Sequence, residues 1–211
     1  MAAATAMWPL GTPAQPVEKV FKIGIFSAGS RGPESTLKGM LRDSLGELGW
    51  IEGRNFAFEG RYAEDQLDRL PGLAAELVSL DVDVIVAVGT LAPLAAKRAT
   101  STIPIVMAGA GDPVGSGLVA SLARPGGNVT GTSLMAPDLA GKRLEMAKDL
   151  LPGVSRVAVL WNAANPYSRL VFKETGRAAR TLEIAIQSLE VRAPADIDGA
   201  LEAAMGQHAD A

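Results

Sequence analysis

Two short runs constrain this chain more than anything else in it. "VDVIVAVG" (82–89) and "IPIVMAGAG" (103–111) are continuously apolar over strand-length stretches. That is the pattern of central parallel strands buried on both faces. Each is followed by residues at helical spacing, and the same alternation runs along the rest of the chain. "FKIGIF" (21–26) reads as a strand. The helix after it, "PESTLKGMLRDSLGELGW", puts Leu37, Met40, Leu41, Leu45 and Leu48 on one face, with Pro33 in the first turn and Gly49 at the C-terminal cap. "NFAFEGRYA" (55–63) alternates like a strand. "DRLPGLAAELVSL" (68–80) reads as a helix capped by Asp68, with Pro71 in its first turn. "TLAPLAAKRA" is a helix started by Thr90, and "DPVGSGLVASLA" is expected to be the next, with Asp112 as cap and Pro113 at its first position. "NVTGTS" (128–133) is polar enough for an edge strand, and "DLAGKRLEMAKDLL" (138–151) is an amphipathic helix.

After Leu-Pro-Gly at 151–153 the rhythm restarts: strand 154–162, helix 166–182, strand 183–193, helix 195–206. In the last helix Ile197, Ala200, Leu201, Ala204 and Met205 share a face. Strand–helix alternation throughout predicts an α/β fold with parallel sheets: a doubly wound lobe and a second, incomplete α/β lobe. The expected divisions are a tail over 1–20, a ligand-binding lobe over 21–152 and a partial second lobe over 153–211. Two strands do not close a buried parallel sheet, so a further strand is expected, and "GQHADA" reads as the turn into it.

Several chemistries are excluded by residue type. No cysteine is present, which removes disulfides, thiol nucleophiles and Cys-ligated metals. The single histidine, His208, lies four residues from the end and is expected in solvent, which leaves a Ser-His-Asp system without a base. With 20 Lys+Arg against 23 Asp+Glu, interspersed, there is no basic stripe for nucleic acid. No cofactor is expected. "MAAATAMWPLGTPAQPVEKV" resembles the apolar region and cleavage site of a secretory signal, with cleavage after Ala14 but without a basic start. The alternative is an Ala/Pro-rich tail. No later stretch is long and apolar enough to span a bilayer.

The most unusual segment is "GDPVGSGLVASLARPGGNVTG" (111–131). A phosphate loop needs Gly-Lys-Ser/Thr, and the one Gly-Lys pair, at 141–142, is followed by Arg143. A dinucleotide loop needs a third glycine where Val114 stands, and Asp112 puts a carboxylate where pyrophosphate would sit. The carboxylates near strand ends, Glu34, Glu64 and Asp112, form no catalytic pair. A ligand wall fits better. In open α/β sheets ligands bind at the carboxyl ends of the strands. The loops there, "SAGSRGPE", "GTLAP" and "AGAGDP", are small, hydroxyl-bearing and rich in glycine. Helix N-termini at Thr90 and Asp112 would face a carboxylate, and the Asp112 side chain would suit an ammonium. The set points to a zwitterion such as an amino acid.

These motifs closely resemble those of a known family. "LGWIEGRNFAFEGRYAE" (48–64), "RLPGLAAELVSLDVDVIVAVGT" (69–90), "TIPIVMAGAGDPVGSGLVASLARPGGNVTG" (102–131), "KRLEMAKDLLPGVSRVAVLWNAANP" (142–166) and "RTLEIAIQSLEVRAPADIDGALEAA" (180–204) occur in order. The chain is similar to substrate-binding proteins of ABC importers, of the tryptophan/phenylalanine-binding type. The resemblance implies a type I periplasmic-binding fold, binding without chemistry, an extracytoplasmic location and membrane permease subunits as partners. Family members carry a fuller signal and extend beyond the equivalent of Ala211. The chain as written is therefore expected to be truncated, to bind weakly if at all, and to stay cytoplasmic without a complete signal. By position the ligand wall is Ser27, Ala28 and Gly29, then Gly89 and Thr90, then Ala108 and Gly109 through Asp112. Asn162, Asn165 and Tyr167 would close from the second lobe, with turn chemistry before Pro166 the other role for the two asparagines. Trp50 is read as packing on the core edge, Trp161 as either platform or packing, and Met40, Met135 and Met146 as core filler. Other readings are a sensor domain of the same fold, which would lack its usual DNA-binding helices here, and a Rossmann-type enzyme, which would lack its fingerprint.

Overall fold

The computed structural model describes residues 19–134 and 139–211. The expected signal segment and Met135 lie outside the described residues, as does the side chain of Glu34. The first unit runs β1 (Phe21–Ser27), α1 (Arg31–Glu47), β2 (Phe56–Tyr62), a 3-10 turn (Leu67–Arg69), α2 (Leu70–Ser79), β3 (Val84–Val88), α3 (Leu91–Ala99), β4 (Ile105–Gly111) and β5 (Val129–Leu134). Its five strands are all parallel, in the order β2-β1-β3-β4-β5. The apolar run in β3 supplies Ile85, Val86 and Ala87, all buried. The polar strand β5 lies at the edge, as its composition predicts.

The chain leaves β1 to one side for β2 and then crosses to the other for β3. That reversal puts α1 on one face and α2 with α3 on the other. Leu73, Ala74 and Leu77 of α2 and Ala92 and Ala96 of α3 share a core with Phe26, Ile85 and Ile105. Gly24 permits the close approach: a methyl there would stand 3.2 Å from Leu77. Asp68 lies inside the 3-10 turn and caps neither helix. At the end of α1, Gly49 has φ +84°. Its N–H donates to Gly46 O and the Trp50 N–H to Leu45 O, the double bond of a glycine-terminated helix. Trp50 packs edge-on to Phe21, as expected of a core-edge residue. Met40 and Leu48, however, are exposed, as is Met146, so these methionines are not core filler. Helical spacing found the inward stripe of α1 but not its width.

The second unit comprises α4 (Ala140–Leu150), β6 (Arg156–Asn162), α5 (Pro166–Leu182), β7 (Ala185–Val191), a 3-10 turn (Pro194–Asp196) and α6 (Ile197–Gly206). β6 and β7 pair in parallel over their whole length. α4, grouped with the first unit from sequence, instead packs on α5: Leu144 shares a core with Val154, Ala179 and Ile184. Gln187 reaches the opposite face, where its Nε2 donates to Ala203 O of α6. None of α6 is buried, and Leu201 and Met205 are exposed. The last residues run beside β6. The Asp210 N–H donates to Arg156 O at 2.9 Å and the Ala158 N–H to Ala211 O at 2.7 Å. The Asp210 carboxylate accepts from the N–H groups of Ser155 and Arg156 and from Ser155 Oγ. These donors, led by the Ser155 N–H, hold the Asp210 carboxyl below the usual range. The turn into a further strand at "GQHADA" is thus present as backbone pairing, and His208 is exposed as expected.

Candidate functional site

The two units meet over the carboxyl ends of the first sheet's strands. There the loops after β1 and β2 are tied together. The Ala63 N–H donates to Ser27 O at 3.0 Å, the Asp65 N–H to Ala28 O at 2.9 Å and the Glu64 N–H to Gly29 O at 3.3 Å. Ser27 is buried and its Oγ accepts from the Gly29 N–H at 3.1 Å. The backbone of Ser27, Ala28 and Gly29 is therefore already engaged, more as a rigid wall than as a set of open donors. Glu64 and Asp65 both have left-handed backbones, φ +51° and +61°. That turn brings Asp65 Oδ1 to 3.8 Å from where a methyl on Gly29 would stand.

The next loops are equally locked. Gly89, at φ +71°, donates its N–H to Ala108 O at 3.0 Å. Thr90 starts α3 as expected, but its side chain makes no cap. It is buried, and Oγ1 accepts from the Gly111 N–H at 3.0 Å. Gly109, at φ +67°, donates to Thr132 Oγ1 at 3.0 Å beside an irregularity in the β4–β5 ladder between Met107 and Ala110.

The helix expected from Asp112 is absent. Residues 112–119 form a knot of turns instead, with Ser116 N–H on Asp112 O and both Leu118 and Val119 N–H on Pro113 O. Asp112 itself has φ +34°, and its Oδ1 accepts from the Gly115 N–H at 2.9 Å. The physical reason is local. Gly115 and Gly117 each disfavour a helix by about 1 kcal/mol, and the Asp112 carboxylate offers the backbone a competing turn. Asp112 thus caps a turn, and no helix N-terminus faces the crevice there.

From the second unit, Asn162 Oδ1 accepts from the Ala164 N–H at 2.8 Å, and Asn165 Oδ1 from the Tyr167 N–H at 3.0 Å as the N-cap of α5. Both asparagines take the turn role. Tyr167 lies flat against Gly111: a methyl on that glycine would fall 2.2 Å from ring atoms Cγ and Cδ2. Leu170 approaches Gly115 in the same way, at 2.9 Å. The first turn of α5 is thus seated on the glycines of the β4 loop. Trp161 stacks on Phe172 at 4.6 Å and its Nε1 donates to Ser188 Oγ, so it packs within its own unit and offers no free platform.

Two hollows open at this junction. One, of about 190 Å3, has Asp65 and Leu67 on one side and Asn162, Val191, Arg192 and Ile197 on the other. The other is an apolar groove of about 640 Å3 between α2 and α3 that reaches Ala164 and Pro166. Of the residues expected to touch ligand, Asn162 lines the first hollow and none lines the second. Asp65, which lines the first hollow, was not among the residues expected there. It follows Glu64 directly in "YAED", at the end of an alternating run, and its position as the next polar residue past a strand end was the available signal.

Comparison with known proteins agrees with this architecture. The family model described as ABC transporter substrate binding protein matches residues 30–211. A tyrosine-binding protein of Clostridioides difficile is 36% identical over 134 residues, covering 63% of this chain and 38% of that protein. The solved structure of a conserved domain protein from Vibrio cholerae superposes with a TM-score of 0.82 at 28% identity, over 90% of this chain and 63% of that one. The structure of an ABC domain in complex with L-Trp from Streptococcus pneumoniae gives 0.80 at 26% identity, over 91% and 64%. The chain spans less than two thirds of the length of each of these relatives.

Proposed function

The chain belongs to the ABC transporter substrate-binding protein family, with the type I periplasmic-binding fold, and on that basis we propose that it is a solute-binding subunit of an importer. In this reading it works outside the cytoplasm, holds a small zwitterionic solute (an amino acid or a close relative) between its two α/β lobes, and presents it unchanged to permease subunits. The wall on the first lobe is Ser27 to Gly29, Gly89, Thr90 and Ala108 to Asp112. Asn162, Asn165 and Tyr167 close from the second, with the division between lobes falling ahead of α4.

The observation that carries the proposal is the meeting of two parallel α/β units over the carboxyl ends of strands, where open sheets take ligands. The relatives named above, one described as tyrosine-binding and one held with L-Trp, support an amino acid as solute. Among the described residues no helix is long and apolar enough to cross a membrane. The test is a thermal-shift screen of amino acids followed by calorimetry. A solute present at 100 times its dissociation constant stabilises by about 2.7 kcal/mol. For a chain of this size that raises the midpoint by roughly 5–11 °C. One-to-one binding with the solute recovered unchanged is expected; no shift with any amino acid would refute the solute class.

A further inference from the structure

We propose that the first turn of α5 is a clasp: Tyr167 and Leu170, seated on Gly111 and Gly115, hold the two units closed through the protein's own contacts, so that a solute adds to closure without being its cause. The inference goes beyond the solute-binding reading and does not depend on which solute enters the crevice.

The glycines point to it. Gly89, Gly109 and Gly117, in the loops around the contact, have φ of +71°, +67° and +78°, where a side chain is strained, and that accounts for them. Gly111 and Gly115 have no positive φ. What excludes a side chain from them is contact. A methyl on Gly111 would stand 2.2 Å from the Tyr167 ring. One on Gly115 would stand 2.9 Å from Leu170, and 2.2 Å from Asp112 Oδ2 of its own turn. Gly111 is therefore required by a side chain of the other unit.

Both halves of the contact are fixed before they meet. On the first unit, buried Thr90 holds the Gly111 N–H through Oγ1 at 3.0 Å. On the second, the Asn165 side chain caps α5 through the Tyr167 N–H at 3.0 Å, with Pro166 at the first helical position. A ring laid on bare backbone buries apolar surface, and because neither partner needs ordering the fit favours closure by itself. Its place in the fold gives it leverage. β4 neighbours β5, and from β5 the chain crosses to the second unit. The hollow lined by Leu67 and Ile197 lies toward the other edge, past the end of β2. A small displacement at the clasp is magnified at that far rim.

The overall arrangement agrees. The chain superposes on the L-Trp complex with a TM-score of 0.80 at 26% identity, over 91% of its length. On a ligand-free, open structure of a substrate binding protein from Clostridium difficile the score is 0.58 at 25% identity, over 89%.

The experiment measures the distance between the units. The chain has no cysteine, so spin labels go on cleanly at Asp68→Cys and Asp198→Cys, exposed positions next to Leu67 and Ile197 on opposite sides of the hollow. The labelled full chain is unfolded in urea, dialysed and refolded to strip any solute. Double electron–electron resonance is then recorded on it and on the same protein with Gly111→Ala or Tyr167→Ala. The first variant pushes the ring away with the second unit intact; the other removes the ring and leaves its seat intact. Expected is one short, narrow distance for the labelled parent, and for both variants a shift to longer distances by more than the parent's width. Circular dichroism identifies variants that fold, and Leu170→Ala replaces one that does not. A parent distribution dominated by long distances overturns the clasp, and that measurement needs no variant. So does either folded variant that keeps the parent distance. Neither result bears on whether the crevice takes a solute.

Discussion

Replacing Gly111 with alanine puts a methyl group where the Tyr167 ring now lies. The methyl carbon would stand 2.2 Å from Cγ and Cδ2, against an ordinary carbon–carbon contact of about 3.5–4.0 Å. The ring must therefore retreat by roughly 1.3 Å or more. It has little freedom to do so, because Tyr167 is the second residue of α5, behind Pro166 and the Asn165 cap, with Leu170 against Gly115 one turn on. Overpacking of this kind costs about 1–3 kcal/mol, which for a chain of this size lowers the melting midpoint by roughly 2–12 °C. Gly111 does not have a positive φ, so alanine meets no backbone strain there. That makes a double-mutant cycle clean. In a Tyr167→Ala background the clash is gone, and Gly111→Ala becomes neutral or stabilises by up to about 1 kcal/mol through the unfolded chain. The coupling between the two sites is then at least about 1 kcal/mol. Thermal or urea unfolding of the four proteins measures it. If Gly111→Ala costs the same with and without Tyr167, the ring does not sit on that glycine and the seat of α5 is misassigned.

Two further outcomes follow from single features. Gly131, at φ +135°, would place an alanine methyl 2.1 Å from the carbonyl oxygen of Met107 across the β4–β5 ladder. Since the obstacle is backbone, urea unfolding of Gly131→Ala is expected to show a loss above about 3 kcal/mol that no side-chain change at a neighbour restores. The Asp210 carboxyl is held low by the N–H groups of Ser155 and Arg156. Its contribution is therefore present above the unfolded value, near pH 3.9, and lost as pH falls through the lowered folded value. A melting series from pH 5 to pH 2 should fall more steeply for the wild type than for Asp210→Asn, and parallel curves would remove Asp210 from the acid response.

The strands were the part of the chain most legible from local pattern. The buried runs of β3 and β4 were legible because a parallel strand covered on both faces has no polar alternation to confuse it. β5 was legible as an edge because its residues are polar. Segment 112–123 misled because Asp-Pro is a good helix start in general, while the glycines that follow turn the chain instead. The site was harder for a different reason. Which loop groups are already spent, as with Thr90 Oγ1 on Gly111 and Ser27 Oγ on Gly29, depends on pairings across 21 and 2 residues that no spacing encodes. The seat of Tyr167 on Gly111 joins two units and leaves no trace in either segment alone. The left-handed turn at Asp65 is a backbone state, and aspartate carries no mark that distinguishes it.

The pairing of residues 210–211 with β6 has a consequence for symmetry. β6 lends Arg156 O and Ala158 N–H to that pairing, while its other side pairs with β7 and, just ahead of the strand, Ser155 O accepts from the Ala185 N–H. β6 therefore stands between its successor β7 and the next extended segment, as β1 stands between β2 and β3. As far as it is described, the second unit repeats the opening of the first unit's winding. In each, the point where the chain changes direction lies at the end of its own first strand: Ser27–Gly29 in one, Asn162–Asn165 in the other.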